Sequence, residues 1–257
     1  MTSYTSYDCL QNKNVIITGG ASGIGEELVK AFCAQGSYVS FLDIDQNAGG
    51  KLCEELKKIH ADRVKFYHCD ITNLSGLHQT ITTIATTKPI DVLVNNAASD
   101  TRIAFENLTP DTWHRSLAIN LNPIVFAMQA VASSMKQSGE GSIINIGSNH
   151  SRMARDPNLL PYIAAKSAME GITHQMAHTL GANNIRVNCV LPGWIMTDKQ
   201  LEQHVTPEAL AACIDEQAVK RSGQCEDVAN LVLFLASEKA SFISGQIIAV
   251  DGGRTYR

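Results

Sequence analysis

Short apolar runs alternate with longer amphipathic stretches along this chain of 257 residues. Parallel strands with helices on both faces have this pattern, because neither face of such a strand meets water. We therefore predict an α/β fold with a doubly wound, seven-stranded parallel sheet and helices on both faces. The predicted strands are 14–18, 38–42, 64–68, 91–94, 142–146, 185–191 and 246–250. Predicted helices include 26–34, 113–135 and 162–180.

No repeat or low-complexity linker interrupts this order, so we predict a single domain over residues 1–257. The stretch 197–222 differs from the rest because it is polar and lies between the sixth strand and the next helix. Within it, Thr206 can cap a helix whose first residue is Pro207. An inserted helix beside the strand ends is placed to act as a substrate lid, and a surface decoration without a binding role is the alternative.

Composition excludes several classes of partner. With 21 Lys and Arg against 25 Asp and Glu, the chain lacks the basic surface that nucleic acid or an anionic membrane attracts. No apolar run approaches the ~18 residues of a membrane span, and the first residues contain no apolar signal-peptide core. We expect a cytoplasmic protein. The 7 cysteines and 8 histidines show neither CxxC nor HExxH spacing, so we expect reduced thiols and no metal.

A glycine-rich loop, TGGASGIG at residues 18–25, follows the first predicted strand and precedes a helix. Glycines there allow a tight turn and let the backbone approach a pyrophosphate, which then faces the unpaired N–H groups of the helix. Glycines also form ordinary turns, but this position favours a dinucleotide site in a Rossmann-type sheet. The residues assigned to this contact are Gly19, Ser22, Gly23, Ile24 and Gly25.

Asp43 ends the second predicted strand, eighteen positions after Gly25. A carboxylate there can accept both ribose hydroxyls of NAD and repels the 2′-phosphate of NADP. Neither the loop 19–25 nor position 44 holds a Lys or Arg that would neutralise that phosphate. NAD is therefore the expected cofactor. The alternative is that Asp43 only caps a loop together with Asp45.

Tyr162 and Lys166 lie four residues apart in a predicted helix, so their side chains share one face. A free tyrosine has a pKa near 10 and is a poor base at neutral pH. A nearby ammonium, together with the positive nicotinamide of an oxidised cofactor, favours the phenolate and lowers that pKa. This spacing is common by chance, so it gains weight only from the other motifs around it.

The order of these motifs resembles the short-chain dehydrogenase/reductase family over essentially the whole chain. The matching elements are TGGASGIG at 18–25, Asp70, NNAA at 95–98, Asn120 in SLAINL, Ser148 in IINIGS, YIAAK at 162–166, PGWIMT at 192–197 and the closing SGQIIAVDGG. The chain departs from the family at Ala98, where glycine is usual, and in having one more residue than is common between Ser148 and Tyr162. Neither departure touches a catalytic group.

The resemblance implies a role for each matching residue. Tyr162 would be the general base in alcohol oxidation, and Ser148 would hydrogen-bond the reacting oxygen. Lys166 would lower the pKa of Tyr162 and bind the nicotinamide ribose, while Asn120 would hold a water that links Lys166 to solvent. Further implied cofactor contacts are Asp70 and Ile71 at the adenine, Asn96 and Ala97 near the adjacent ribose, Ile195 and Thr197 at the carboxamide end, and Pro192 and Gly193 beside them.

The loop after Ser148 is polar, NHSRMARDPNLL at residues 149–160, where family members that oxidise apolar alcohols have small apolar residues. Polar groups beside an aromatic plane suit a polyhydroxylated substrate, because rejecting a wrong hydroxyl pattern requires placed polar partners. The residues assigned to substrate binding are Ser148, Asn149, His150, Tyr162 and Trp194. The alternative for Asn149 and His150 is hydrogen bonding within the loop. Arg152 and Arg155 are interpreted as surface charges.

Four short segments resemble the sugar 1-dehydrogenase branch of the family: SDTR at 99–102, GSNHS at 147–151, PGWIMTDKQ at 192–200 and VTPEALA at 205–211. That branch includes NAD-dependent dehydrogenases of D-xylose, L-rhamnose and L-fucose, which oxidise the anomeric hydroxyl to a lactone. The resemblance therefore implies an aldose 1-dehydrogenase with a small sugar or polyol substrate. Alternatives are a dehydrogenase of another polyol or secondary alcohol, a 3-ketoacyl reductase, and a non-catalytic NAD-binding protein. The family also implies a homotetramer packed through the helices after strands four and five.

Overall fold

The strands form one parallel sheet in a computed structural model that describes residues 4–153, 156–197 and 206–255. They are β1 (Asn14–Thr18), β2 (Tyr38–Asp43), β3 (Val64–His68), β4 (Val92–Asn95), β5 (Gly141–Ile146), β6 (Ile185–Pro192) and β7 (Ile247–Val250). Their spatial order is β3-β2-β1-β4-β5-β6-β7, and every neighbouring pair is parallel. The order reverses between β1 and β4, which opens a crevice at the carboxyl ends of these strands.

Helices cover both faces of the sheet and create two hydrophobic cores. They are α1 (Gly23–Ala34), α2 (Gln46–His60), α3 (Leu74–Thr87), α4 (Pro110–Asn120), α5 (Asn122–Ser138), α6 (Leu160–Gly181), α7 (Pro207–Glu216) and α8 (Cys225–Ala236). Successive residues of a strand point to opposite faces. Accordingly Val15 and Ile17 pack into the core with α1, α2 and α8, and Ile16 packs into the core with α3, α5 and α6. The predicted fold class is confirmed, and each predicted strand agrees with the observed one to within one residue at either end.

The prediction of one helix over residues 113–135 is wrong. Helix α4 ends at Asn120 and α5 begins at Asn122, with Leu121 between them at φ −129° and ψ −56°. Pro123 explains the break, because proline has no N–H to donate and its ring clashes with the carbonyl four residues earlier. By length and composition alone, Pro110–Ser138 is sufficient to cross a membrane. In the fold it is a broken pair of helices whose second member packs into the core.

The predicted start of α7 agrees with the structure. The Thr206 hydroxyl accepts a hydrogen bond from the Ala209 N–H at 3.2 Å, and Pro207 is the first helical residue. Residues 198–205 of the predicted lid lie outside the described residues. The lid role of the stretch 197–222 stays a prediction.

Candidate active site

Two adjoining cavities open at the carboxyl ends of the strands. The first, of about 730 Å³, lies along the loop 19–25, and we call it the glycine-loop cavity. The second, of about 410 Å³, contains Tyr162, and we call it the Tyr162 cavity. The residues that line both are Ile24, Asn96, Ala98 and Thr197. The two cavities therefore form one continuous cleft.

Glycine is required at two points of the loop because the chain passes very close to itself. Gly19 has φ +66°, and a Cβ built there would lie 2.7 Å from the Cα of Ala97. A Cβ on Gly25 would lie 1.8 Å from the carbonyl oxygen of Gly19. These contacts fold the loop against the end of β4 and leave its backbone on the cavity wall.

The first turn of α1 is suited to an anion. Ser22 precedes the helix, and its side chain caps none of the helical N–H groups. The first N–H groups of a helix have no partner within the helix, and they carry partial positive charge. A pyrophosphate placed in the glycine-loop cavity would accept hydrogen bonds from them.

Asp43 is bonded to the loop backbone and also lines the glycine-loop cavity. One carboxylate oxygen accepts the Ala21 N–H at 2.9 Å, and the other accepts the Asp45 N–H at 3.0 Å. Asp43 therefore holds the loop in place while it lines the glycine-loop cavity. Each of its oxygens retains acceptor capacity for a ribose hydroxyl.

The glycine-loop cavity brings together most of the predicted cofactor contacts. The predicted residues that line it are Gly19, Ser22, Gly23, Ile24, Gly25, Asp43, Asp70, Ile71, Asn96, Ala97 and Thr197. The cavity wall also includes Cys69, Arg115, Ala118 and Ile119, which sequence reasoning missed. Cys69 follows β3 directly, so its position at a strand end was a usable signal. Arg115 lies on α4, and nothing local in the sequence marks it.

Ser148, Tyr162 and Lys166 all line the Tyr162 cavity. Helix α6 places Tyr162 and Lys166 on one face, and Ser148 follows the end of β5 by two residues. Lys166 is almost fully buried, and its ammonium donates to the Ile146 carbonyl oxygen at 2.7 Å. The Lys166 Nζ lies 5.6 Å from the centroid of the Tyr162 ring. The remaining predicted cofactor contacts, Pro192, Gly193 and Ile195, line this second cavity.

The protein's own groups keep Tyr162 protonated near neutral pH. Burial raises the pKa of Tyr162 to about 12, a hydrogen bond with Ser148 acts against this, and Asp100 adds to it. Burial lowers the pKa of Lys166 to about 8. The Lys166 ammonium alone does not offset the burial of Tyr162. An additional positive charge beside the ring is needed to favour the phenolate.

Asn120 is fully buried at the end of α4 and does not line either cavity. Its Oδ1 accepts the Ser99 N–H at 2.9 Å. Its Nδ2 donates to the Ser99 carbonyl at 2.9 Å and to the Ser116 hydroxyl at 3.2 Å. Both amide hydrogens are thereby used, and the side chain clamps the backbone after β4. The water contact expected of Asn120 stays a prediction.

The polar loop after Ser148 divides between the cavity and the protein interior. His150 and Trp194 line the Tyr162 cavity, whereas Asn149 does not. Asn149 is 2% exposed, and its amide donates to Asp251 Oδ2 at 3.4 Å. Asn149 therefore shows neither the predicted place on the cavity wall nor the alternative bonding to loop backbone, because its amide donates to the side chains of Asp251 and Met153.

The surface-charge interpretation of this loop concerns two arginines, Arg152 and Arg155. Arg152 is exposed and pairs with Glu170 at 3.1 Å, in agreement with a surface charge. Arg155 lies outside the described residues.

Four charged side chains that sequence reasoning missed line the Tyr162 cavity, and we call them together the charged wall: Asp100, Arg102, Asp156 and Arg254. The Arg102 Nε lies 3.2 Å from Asp156 Oδ2. They come from the loop after β4, the loop before α6 and the segment after β7, so no local pattern unites them. Within the described ranges, no group of three or more His, Cys, Asp or Glu side chains is placed to hold a metal.

Comparison with known proteins gives relatives that match nearly end to end. A family model described as enoyl-(acyl carrier protein) reductase matches residues 19–255. The chain is 39% identical over 247 residues to D-xylose 1-dehydrogenase of Caulobacter vibrioides, covering 96% of this chain and 97% of the relative. It is 37% identical over 245 residues to the probable galactose dehydrogenase GalD of Rhizobium meliloti, covering 95% of each.

A solved structure shares the fold. The 7α-hydroxysteroid dehydrogenase complexed with NADH and 7-oxo glycochenodeoxycholic acid has a TM-score of 0.90 and 33% identity, covering 96% of each chain. The chain therefore belongs to the short-chain dehydrogenase/reductase family, as an oxidoreductase that acts on CH–OH groups.

Proposed function

We propose that this chain is an NAD-dependent aldose 1-dehydrogenase that oxidises the anomeric hydroxyl of a pentose or deoxyhexose to a lactone. The observation that carries the proposal is the charged wall facing Ser148 and Tyr162 across one cavity. Paired charges and a neutral imidazole offer many donors and acceptors, which suit a substrate with several hydroxyl groups. Relatives named for galactose and D-xylose support the same substrate class.

Ser148, Tyr162 and Lys166 would carry the proton chemistry. Ser148 orients the C1 hydroxyl by hydrogen bonding, and Tyr162 removes its proton as the C1 hydrogen leaves as hydride. NAD supplies the hydride acceptor and a positive charge beside Tyr162 when it is bound. Lys166 holds the nicotinamide ribose, and its buried ammonium stabilises the developing phenolate. Asn120 would hold the water that links Lys166 to solvent.

Asp43 supports NAD over NADP. Its carboxylate sits on the cavity wall where the adenine ribose of a dinucleotide would lie, held by the N–H groups of Ala21 and Asp45. A 2′-phosphate there would meet a fixed like charge. Substrate binding is assigned to Ser148, His150, Tyr162 and Trp194.

The proposal includes a cytoplasmic location and a homotetrameric assembly. Exposed apolar side chains on the first turns of α5 and α6 support assembly through these helices: Val125 is 38%, Phe126 39% and Leu160 40% exposed. Val125 and Phe126 are adjacent in the chain, and apolar side chains exposed side by side are typical of a surface covered by another subunit.

The test is an activity screen that follows the ultraviolet absorbance of reduced nicotinamide, with NAD or NADP, across aldoses, polyols and secondary alcohols. Turnover of a pentose or deoxyhexose with NAD is expected. The Tyr162→Phe variant should lose about 10³-fold or more in kcat, with its NAD affinity unchanged within about threefold. Because burial holds the pKa of Tyr162 high, oxidation by the wild type should accelerate as the pH rises above 7.

Two results would contradict the proposal. Activity on a non-sugar alcohol together with none on any aldose would leave the family standing and overturn the sugar substrate. Binding of NAD without turnover of any alcohol would instead favour a non-catalytic NAD-binding protein.

A further inference from the structure

The Tyr162 cavity contains an arginine from the C-terminal segment that is held by a single carboxylate. Arg254 is 14% exposed in its side chain, and it pairs with Glu216, the last residue of α7. The Nε and Nη2 of Arg254 donate to the same oxygen, Oε2, at 2.9 and 2.7 Å. Among the described residues, its Nη1 has no hydrogen-bond partner. A guanidinium on a cavity wall with an unused donor is placed to bind an acceptor on a substrate.

Asp251 fixes the segment that carries Arg254. It is 7% exposed, and it accepts hydrogen bonds from the N–H groups of Gly253 at 3.0 Å and Thr255 at 2.8 Å. The Asn149 amide also donates to it at 3.4 Å. Since Asn149 follows Ser148 directly in the chain, these bonds hold Arg254 at a fixed distance from the group that would orient the reacting hydroxyl.

The charges of this wall are matched. Both arginines that the structure places on it have a carboxylate partner, Arg102 with Asp156 at 3.2 Å and Arg254 with Glu216 at 2.7 Å. Asp100 adds another carboxylate. Burial, together with Arg254, lowers the pKa of His150, so its ring is neutral at pH 7. Among the described residues, the wall therefore presents no arginine without a carboxylate partner.

A substrate with a carboxylate would bind poorly at such a wall. Both arginines that the structure places on the wall already have a carboxylate partner, so it could reach their charges only by competing with Asp156 or Glu216. Because Glu216 already compensates the Arg254 charge through two hydrogen bonds, a second carboxylate gains less there than it would at an unpaired arginine. A hydroxyl oxygen can accept from Nη1 while the pair with Glu216 stays intact.

We propose that Arg254 hydrogen-bonds a hydroxyl of the substrate through Nη1, and that Glu216 neutralises Arg254 so that the site selects uncharged polyols over the corresponding sugar acids. The inference rests on the proposed function in taking the Tyr162 cavity as the substrate site. It adds the specificity-determining residues and the charge class of the substrate.

The Arg254→Met variant tests the hydroxyl contact. Its KM for the best aldose should rise about 10- to 100-fold, the loss of one hydrogen bond to a charged group, while kcat and NAD affinity stay within about threefold. One monodeoxy analogue of that aldose should be impaired with the wild type but suffer no further loss with the variant. Arg221→Met is the matched control, because Arg221 pairs with Asp227 at 2.7 Å outside both cavities. An unchanged KM in Arg254→Met would overturn the contact.

The Glu216→Gln variant tests the charge selection. The ratio of kcat/KM for D-galacturonate to that for D-fucose, the deoxyhexose of the same configuration, should be well below one in the wild type and should rise by about tenfold or more in the variant. Asp215→Asn is the control, since it removes a neighbouring carboxylate that pairs with Lys220 and does not line the cavity. A wild type that oxidises the acid as well as the sugar, or a ratio unchanged in a folded variant, would overturn the proposal.

Two further readouts keep the outcomes distinct. Melting curves establish that each variant is folded, and the Arg254→Met measurements decide the proposal if Glu216→Gln does not fold. Turnover of another alcohol but of no aldose by the wild type would contradict the proposed function alone. The ratio of kcat/KM for the carboxylated analogue of that alcohol to that for the alcohol itself is then measured. A failure of the inference is thereby distinguished from a failure of the proposed function.

Discussion

The two halves of the cleft are built in different ways. The glycine-loop cavity takes its shape from backbone, in the loop 19–25 and at the ends of β2, β3 and β4. The Tyr162 cavity takes its character from charged side chains on segments that lie far apart in sequence. A backbone surface binds groups that every dinucleotide carries, whereas a side-chain surface distinguishes one substrate from another.

The two cavities also differ in how a substitution acts on them. In the glycine-loop cavity the closest contacts leave no space for a single Cβ, so a substitution there acts through steric overlap. On the charged wall the interactions are ion pairs at the cavity surface, where a substitution changes charge and donor pattern without moving the backbone. Substitutions in the first half should affect all substrates alike, and those in the second should change the ranking of substrates.

The largest effect that distinguishes the two cavities is expected from Gly25→Ala, on the affinity for NAD. The added Cβ would overlap the Gly19 carbonyl, so the loop must open. The affinity for NAD should therefore fall by about 100-fold or more, and activity should fall alike with every substrate tested. Fluorescence titration with NADH measures this directly. Gly171→Ala in α6 is the control, because nothing lies within 4 Å of a Cβ there. That control should keep NAD affinity and gain about 0.5–1 kcal/mol in stability. Equal affinities for NADH in the two variants would contradict the steric account.

A smaller effect, confined to the choice of cofactor, is expected from Asp43→Asn. Removing the carboxylate charge should raise the ratio of kcat/KM with NADP to that with NAD by about 10- to 30-fold, since repulsion of the 2′-phosphate is lost. Asp45→Asn serves as the control, because asparagine also caps a helix well and Asp45 caps α2 away from the cavity wall. A ratio that moves equally in both variants would show that the loop, and not the charge, sets the preference.

The smallest effect is expected from Asp156→Asn. It leaves Arg102 without its carboxylate partner and should change kcat/KM for the best sugar by about 3- to 10-fold. The affinity for NADH should stay the same, because neither residue lines the glycine-loop cavity. Kinetics on a panel of epimeric sugars measures the change in ranking. A uniform loss across the panel together with weaker NADH binding would remove the distinction between the two halves.

Most residues of the glycine-loop cavity could be predicted from the sequence, whereas the charged wall of the Tyr162 cavity could not. Gly19, Gly25 and Asp43 could be placed because each stands at a fixed point of a strand–loop–helix unit, where local spacing determines position. Arg102 and Asp156 pair across 54 positions of the chain, and no local pattern encodes that approach. The same limit applies to Asn149, whose inward orientation depends on Asp251.

Helix prediction failed for a local reason. The apolar periodicity of residues 113–135 continues past Leu121, but Pro123 removes a hydrogen bond that periodicity does not register. The consequence is two helices that meet at Leu121, next to Asn120, whose buried side chain bonds to the backbone after β4.

The hydrogen bonds of Asn120 to Ser99 fix the backbone at the point where the two cavities adjoin. Both main-chain groups of Ser99 are held, so the backbone is fixed between Ala98, which lines both cavities, and Asp100 and Arg102, which line the Tyr162 cavity. Side chains beyond this point can be exchanged while the nucleotide site keeps its shape. A chain built in this way can acquire a new substrate through a few replacements in its loops, with no need to re-establish cofactor binding each time.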